Sequence, residues 1–234
     1  MKTISRQHFT AKLVSQNEDK LSCALNLLNK RISSRISEQA IATCGLFQDD
    51  DMLYLYFEKI IRQANNEPLV DHNIWKNGSA IFPQHLFPEL TPLLVANTGE
   101  KWQQMELVYY FAQPEDLEDW HRKIAPTKQC GRLAILQENQ IDSYKKHHQA
   151  ISEEGRMKGD KFQSIALLGN RLFSYYEEPR DNEIVNVKRS KENESLALKE
   201  WLTADPEAHF IHGTKNPIDN FYPIKTLFSS STLF

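Results

Sequence analysis

"KLVSQNEDKLSCALNLLNKRI" (residues 12–32) and "RLAILQENQIDSYKKHHQAIS" (132–152) lie 120 positions apart and overlay without a gap. Leu13 meets Leu133, Glu18 meets Glu138 and Leu21 meets Ile141. Each stretch passes from a strand-like apolar run through a polar turn into a helical pattern. A shared order of features at a fixed spacing is the mark of an internal repeat. Further along, "GLFQDDDMLYLYFEK" (45–59) overlays "ALLGNRLFSYYEE" (166–178), now 119 positions apart. Leu53 meets Leu172 there, Tyr54 meets Phe173 and Glu58 meets Glu177.

Each copy reads as strand, helix, strand, turn, strand. The turns carry hairpin chemistry, Asp49-Asp50-Asp51 in the first copy and Gly169-Asn170 in the second. "MELVYYFAQ" (105–113) is the expected closing strand of the first copy and "YPIKTLFSS" (222–230) that of the second. A second helix precedes each. In the second copy it is "NESLALKEWLTADPEA" (193–208). In the first copy Pro68, Pro83, Pro88 and Pro92 predict short or broken helices, because proline removes a backbone donor and crowds the preceding turn.

The resulting order βαββαβ is the ferredoxin-like plan of an antiparallel sheet with helices on one face. The expected fold class is therefore α+β: two ferredoxin-like repeats with antiparallel sheets, packed as an intramolecular α+β barrel. The expected boundaries are 1–113 for a degenerate first repeat, 114–130 for a polar connection and 131–234 for a second repeat carrying a pocket. The charged stretch 180–194 reads as a mobile insertion.

Composition narrows the function. The chain of 234 residues is 40% hydrophobic, with 28 Lys and Arg against 31 Asp and Glu. No basic block has the density of a nucleic-acid footprint; "VKRSK" (187–191) is diluted by Glu183, Glu192 and Glu194. No apolar run approaches a membrane span, and the N-terminus lacks the apolar segment of a secretory signal. Three widely spaced cysteines make neither a disulfide framework nor a metal pair. A cytoplasmic protein, with neither a nucleic-acid nor a membrane partner, is expected.

The repeat supplies its own comparison for the candidate site. Ile141, Tyr144, His148 and Ile151 fall on one helical face. The first copy fills the same stripe with Leu21, Ala24 and Leu28, so Tyr144 stands over Ala24 and His148 over Leu28. A core needs no imidazole there. A buried polar group without a partner costs about 1–3 kcal/mol, so either the two rings find structural hydrogen bonds or the second copy keeps a polar cavity.

"YKKHH" (144–148) followed by "IALLGNRLFSYYEE" (165–178) resembles the L-rhamnose mutarotase family of ferredoxin-like α+β-barrel proteins. Tyr144 and His148 match its Tyr-x-x-x-His helix, and Leu172-Phe173 match its hairpin strand. The first half matches in architecture only. The resemblance implies a mutarotase-like isomerase of a small carbohydrate, with His148 moving the proton and Tyr144 orienting a hydroxyl or relaying it. Sugar chemistry then suggests Trp201 or Tyr176 as a stacking ring and Arg132 as a hydrogen-bond donor to a ring hydroxyl. Family members are single units that dimerise, so a homodimer is the assembly to test for.

Two alternatives stand beside it: a non-catalytic small-molecule-binding or structural α+β-barrel protein, and a haem-binding or oxygenase-type barrel with His148 as axial ligand. No metal site is expected, because no carboxylate or cysteine near His209 and His212 or near His147-His148 completes a ligand set. No cofactor is expected for the mutarotase reading.

Overall fold

The computed structural model describes residues 2–14, 18–37, 41–62, 83–96, 100–112, 114, 120, 122, 124–154, 160–180 and 196–231. The expected insertion, from residue 181 onward, and most of the proline-rich stretch of the first copy lie outside them. The described chain forms two compact units: Met1–Gln104 with Pro114–Ala125 and Leu227–Phe234, and Met105–Gln113 with Pro126–Thr226. No helix among the described residues is long and apolar enough to cross a membrane.

The first unit contains β1 (Lys2–Lys12), α1 (Glu18–Ser37), β2 (Ile41–Asp49), β3 (Met52–Arg62), the short α2 (Pro83–Leu86) and β4 (Gln103–Gln104). Its sheet order β4-β1-β3-β2 is antiparallel where the register is given, as the ferredoxin-like plan requires. The period-2 alternation of β1 sorts its side chains. Phe9 and Ala11 share a face with their partners Leu55 and Leu53, and all four join the core under Ala24, Leu28 and Ile32 of α1. Arg6, His8 and Thr10 take the opposite face with their partners Glu58, Tyr56 and Tyr54, and all six are buried. The hairpin turns through Asp50, whose φ of 51° is left-handed, as the Asp run predicts.

The second unit contains β5 (Glu106–Tyr110), β6 (Lys128–Ile135), α3 (Ile141–Glu154), β7 (Ser164–Leu168), β8 (Arg171–Glu178), α4 (Leu196–Thr203) and the first part of β9 (Tyr222–Ser231). Its sheet order is β9-β6-β8-β7-β5, again antiparallel. Gly169, at φ 58°, turns the β7–β8 hairpin. The fold is thus α+β, with the βαββαβ plan in each unit and helices where the sequence places them.

Two details differ from the sequence reading. The strand expected to close the first repeat pairs instead with β7, Glu106 opposite Leu167 and Tyr110 opposite Ser164. Val108 and Tyr109 belong to the second unit's core, which buries their apolar surface. Conversely Leu227 and Phe228 of β9 join the first unit's core, and Trp120 and Arg122 of the expected connection belong to that unit as well.

The gapless overlay also slips by three residues in the first strand. Arg6 lies opposite Glu58 and Gln129 opposite Glu177, so β1 and β6 correspond at a spacing of 123, against 119 for β3 and β8. Leu13 therefore corresponds to Leu136: the amide of each donates 2.8 Å to the hairpin turn, at Asp51 and Asn170. The helical stripe keeps the spacing of 120, because Ala24 and Leu28 are buried as Tyr144 and His148 are. The three extra residues of the first copy lie between its strand and its helix.

Candidate aromatic and imidazole site of the second unit

In α3 the buried positions are Tyr144, His148 and Ile151, with Ile141 half-buried, which is the stripe expected from the spacing. This face meets the side of the sheet that carries Ala134 and Leu172. Trp201 of α4 and Phe210 complete the group.

The rings of Tyr144 and His148 stack at 3.8 Å and 21°. Trp201 stands edge-on to both, at 5.7 Å from Tyr144 and 4.8 Å from His148. Tyr109 meets His148 at 5.5 Å, and Phe210 meets Tyr144 at 5.9 Å, each edge to face. Three of the sequence-predicted site residues, Tyr144, His148 and Trp201, are therefore in mutual contact.

His148 Nδ1 lies 3.0 Å from the Tyr144 carbonyl one turn back. A carbonyl only accepts, so Nδ1 carries the proton and Nε2 presents a lone pair. Burial pushes the imidazole down to about 4, outweighing its backbone hydrogen bond, and it is neutral at physiological pH. Burial pushes the Tyr144 phenol far above its ordinary range, so it is a neutral O–H donor. That hydroxyl is buried and has no hydrogen-bond partner. Tyr109 is pushed up to about 12 by burial and then by the charge of Asp160.

Arg132 and Tyr176, the other two predicted residues, form the adjoining group. Arg132 Nε donates to Ser174 Oγ at 3.3 Å. Its guanidinium lies 5.2 Å from the Tyr176 ring and 4.7 Å from Phe221. Phe221 in turn meets Phe210 at 6.0 Å, which joins this group to the rings around Tyr144. Arg180 lies 4.5 Å from Tyr176.

Sequence reasoning missed several members. Phe210 is the middle of "HFIH", a stretch weighed only as a metal motif. His209 beside it is buried, accepts from Ser143 Oγ at 3.0 Å through Nε2, and donates from Nδ1 to the Asp205 carbonyl at 3.1 Å. It is a structural tie between α3 and the turn at 206–209.

A second missed feature repeats in both units. On the sheet face opposite the helices, Tyr56 donates to Glu58 at 2.6 Å, and Tyr175 donates to Glu177 at 2.6 Å. The spacing of 119 that places Glu58 over Glu177 also places Tyr56 over Tyr175, so the signal was present. In the first unit Arg122 and Arg6 extend this network, with Arg6 donating to Tyr56 at 3.0 Å.

No family model and no curated protein sequence matches the chain. Similar solved structures include a "putative monooxygenase" from Fusobacterium nucleatum, at 10% identity and TM-score 0.43, covering 98% of this chain and 94% of that one. Another "putative monooxygenase", from Lactobacillus acidophilus, shows 8% identity and TM-score 0.44, with 98% and 96% covered. An "anthrone oxidase-like protein" shows 9% identity and TM-score 0.36, with 98% and 93% covered. Similarities at this level carry no chemistry to this chain.

The expected resemblance to L-rhamnose mutarotases is corrected: no family model matches the chain, and the similar structures are named as monooxygenases and as an oxidase-like protein. The site chemistry agrees with the correction. Anomerisation by a histidine wants a proton carrier near neutral pH, and His148 at about 4 is far from that range. Tyr144, with its phenol pushed up by burial, is equally unsuited to relay a proton.

Proposed function

We propose that the second unit is a small-molecule-binding module whose ligand lies against α3, α4 and the helix-facing side of the sheet. The observation that carries this reading is the Tyr144 hydroxyl, buried with no partner beside a neutral imidazole. An orphaned buried hydroxyl costs about 1–3 kcal/mol, and Ala24 shows that the same position can do without one. A ligand atom that accepts from this hydroxyl recovers that cost. His148 Nε2 offers the complementary acceptor, and Trp201, Phe210 and Tyr109 supply faces and edges for a planar guest.

The reading is one of binding. The neutral imidazole and neutral phenol are suited to orienting a guest through hydrogen bonds. The test is a titration of the full chain with 2-naphthol, followed by tryptophan fluorescence. Trp201→Phe should remove the signal change, and Tyr144→Phe should weaken binding about tenfold, the loss of one buried hydrogen bond. A titration that leaves the fluorescence unchanged, or that is identical in Tyr144→Phe, refutes the reading.

A further inference from the structure

We infer that the ligand of the second unit is a planar aromatic compound bearing an ionised acidic group, and that Arg132 and Arg180 hold that group beside Tyr176. This inference rests on the binding reading above and narrows its ligand class.

Two guanidinium groups are set on one ring: Arg132 at 5.2 Å and Arg180 at 4.5 Å from Tyr176. Arg132 belongs to β6 and Tyr176 to β8, and Arg132 lies opposite Ser174 in the register. Arg180 follows at the end of β8. Two like charges on one aromatic platform repel each other, and a bound anion turns that repulsion into attraction. Among the described residues, no carboxylate forms an ion pair with either arginine. Asp160 is the buried acid whose charge reaches Arg132, from a distance, and its Oδ1 already accepts from the Phe162 amide at 3.2 Å.

The donor geometry agrees. Nε of Arg132 is used by Ser174, which fixes the plane of the guanidinium and leaves its two terminal nitrogens as the fork that matches a carboxylate or phosphate. Burial and the neighbouring Arg180 charge both lower Arg132 from its ordinary value, as expected of a cation held where its charge is unwelcome until an anion arrives. Phe221, 4.7 Å from the same guanidinium, leads through Phe210 to Tyr144. A planar guest can therefore lie along the aromatic rings with its acidic oxygen at the arginines.

The experiment is a set of titrations of the full chain at pH 7.5 and low salt, read by tryptophan fluorescence, with 2-naphthoate, 2-naphthyl phosphate and neutral 2-naphthalenemethanol. Both anions should bind at least about tenfold more tightly than the alcohol, in keeping with a charge-assisted pair. Arg180→Gln, at an exposed position, should cut that preference without lowering the thermal midpoint. Arg132→Lys should retain part of it, since the charge stays and the fork is lost. Equal affinity for naphthoate and the alcohol, with binding intact, overturns the anion inference alone. Failure of all three to perturb Trp201 overturns the binding reading with it.

Discussion

Arg122 closes on Glu58 with both terminal nitrogens, each 3.1 Å from a carboxylate oxygen, and neither side chain is more than 2% exposed. Burial alone would raise the Glu58 carboxyl. Arg122, then Arg6 and the Tyr56 hydrogen bond, outweigh it and hold the group below the usual carboxylate range. Breaking one side of such a pair leaves an uncompensated buried charge. Glu58→Gln and Arg122→Met should each destabilise the protein by about 3–5 kcal/mol in urea denaturation. Glu58→Gln combined with Arg122→Met should cost less than the two singles added together, because the double variant strands no charge between the two positions. Additive losses would show that the pair does not act as a unit.

The three cysteines should separate by reactivity. Cys23 lies on the exposed side of α1, whereas Cys44 and Cys130 are buried, and none is bridged. Burial raises the Cys44 thiol far above its ordinary range, and burial raises Cys130 as well. Because the thiolate is the reacting species, a disulfide reagent should modify one thiol per native chain quickly and the other two only on unfolding. Ready reaction of Cys44 in the native protein would contradict its burial.

The sequence made the architecture legible because the repeat expresses itself twice in the same order of periodicities. The α3 stripe was fixed by spacing alone, and the structure buries Tyr144, His148 and Ile151 as the spacing requires. Strand partnership was not legible. "MELVYYFAQ" has the pattern of a half-buried strand, and that pattern is satisfied equally by either sheet, so nothing local states that β5 lies against β7. The slip of β1 against β6 went unseen for a related reason: a gapless overlay cannot register a longer link between strand and helix. Around Tyr144, the residues of α3 and α4 lie together as their spacing suggests, whereas Tyr109 was missed because its strand was assigned to the first repeat. Phe210 and Phe221, which join its two halves, were missed because they sit outside any periodic segment. His148's neutral state was not legible, because it comes from burial, which composition cannot report.

Tyr144→Phe should separate stability from binding. The substitution keeps the ring contacts with His148, Trp201 and Phe210 and removes a hydroxyl that has no partner. Thermal or urea denaturation without ligand should therefore show no loss, or a gain of up to about 1 kcal/mol. In the first unit, at Leu28, the position that corresponds to His148, a polar group has the opposite effect. Leu28 is fully buried among aliphatic and aromatic neighbours, and Leu28→His should cost about 3 kcal/mol or more through an unsatisfied ring nitrogen. A Tyr144→Phe variant less stable than the parent by more than about 1 kcal/mol would mean that the hydroxyl is structurally engaged.

Acid should weaken the fold in a window set by His148. Its ordinary value is 6.5, and in the folded protein burial holds it at about 4. Above pH 6.5 both states leave it neutral and it contributes no pH dependence. Between 6.5 and 4 the unfolded chain binds a proton that the folded chain refuses, so stability falls as the pH drops. The gap of about 2.5 pH units corresponds to about 3 kcal/mol lost by pH 4. His8 in the first unit, lowered by burial and then by Arg6, adds a slope of the same sign, and the Glu58 carboxyl adds its loss only below its ordinary 4.5. The difference between the parent and His148→Leu, measured by urea denaturation from pH 7.5 down to 4.5, isolates the His148 share: the variant should lose less stability over that range by about 2 kcal/mol. Parallel curves for parent and variant would place the His148 imidazole in contact with water and remove the buried neutral base from the site.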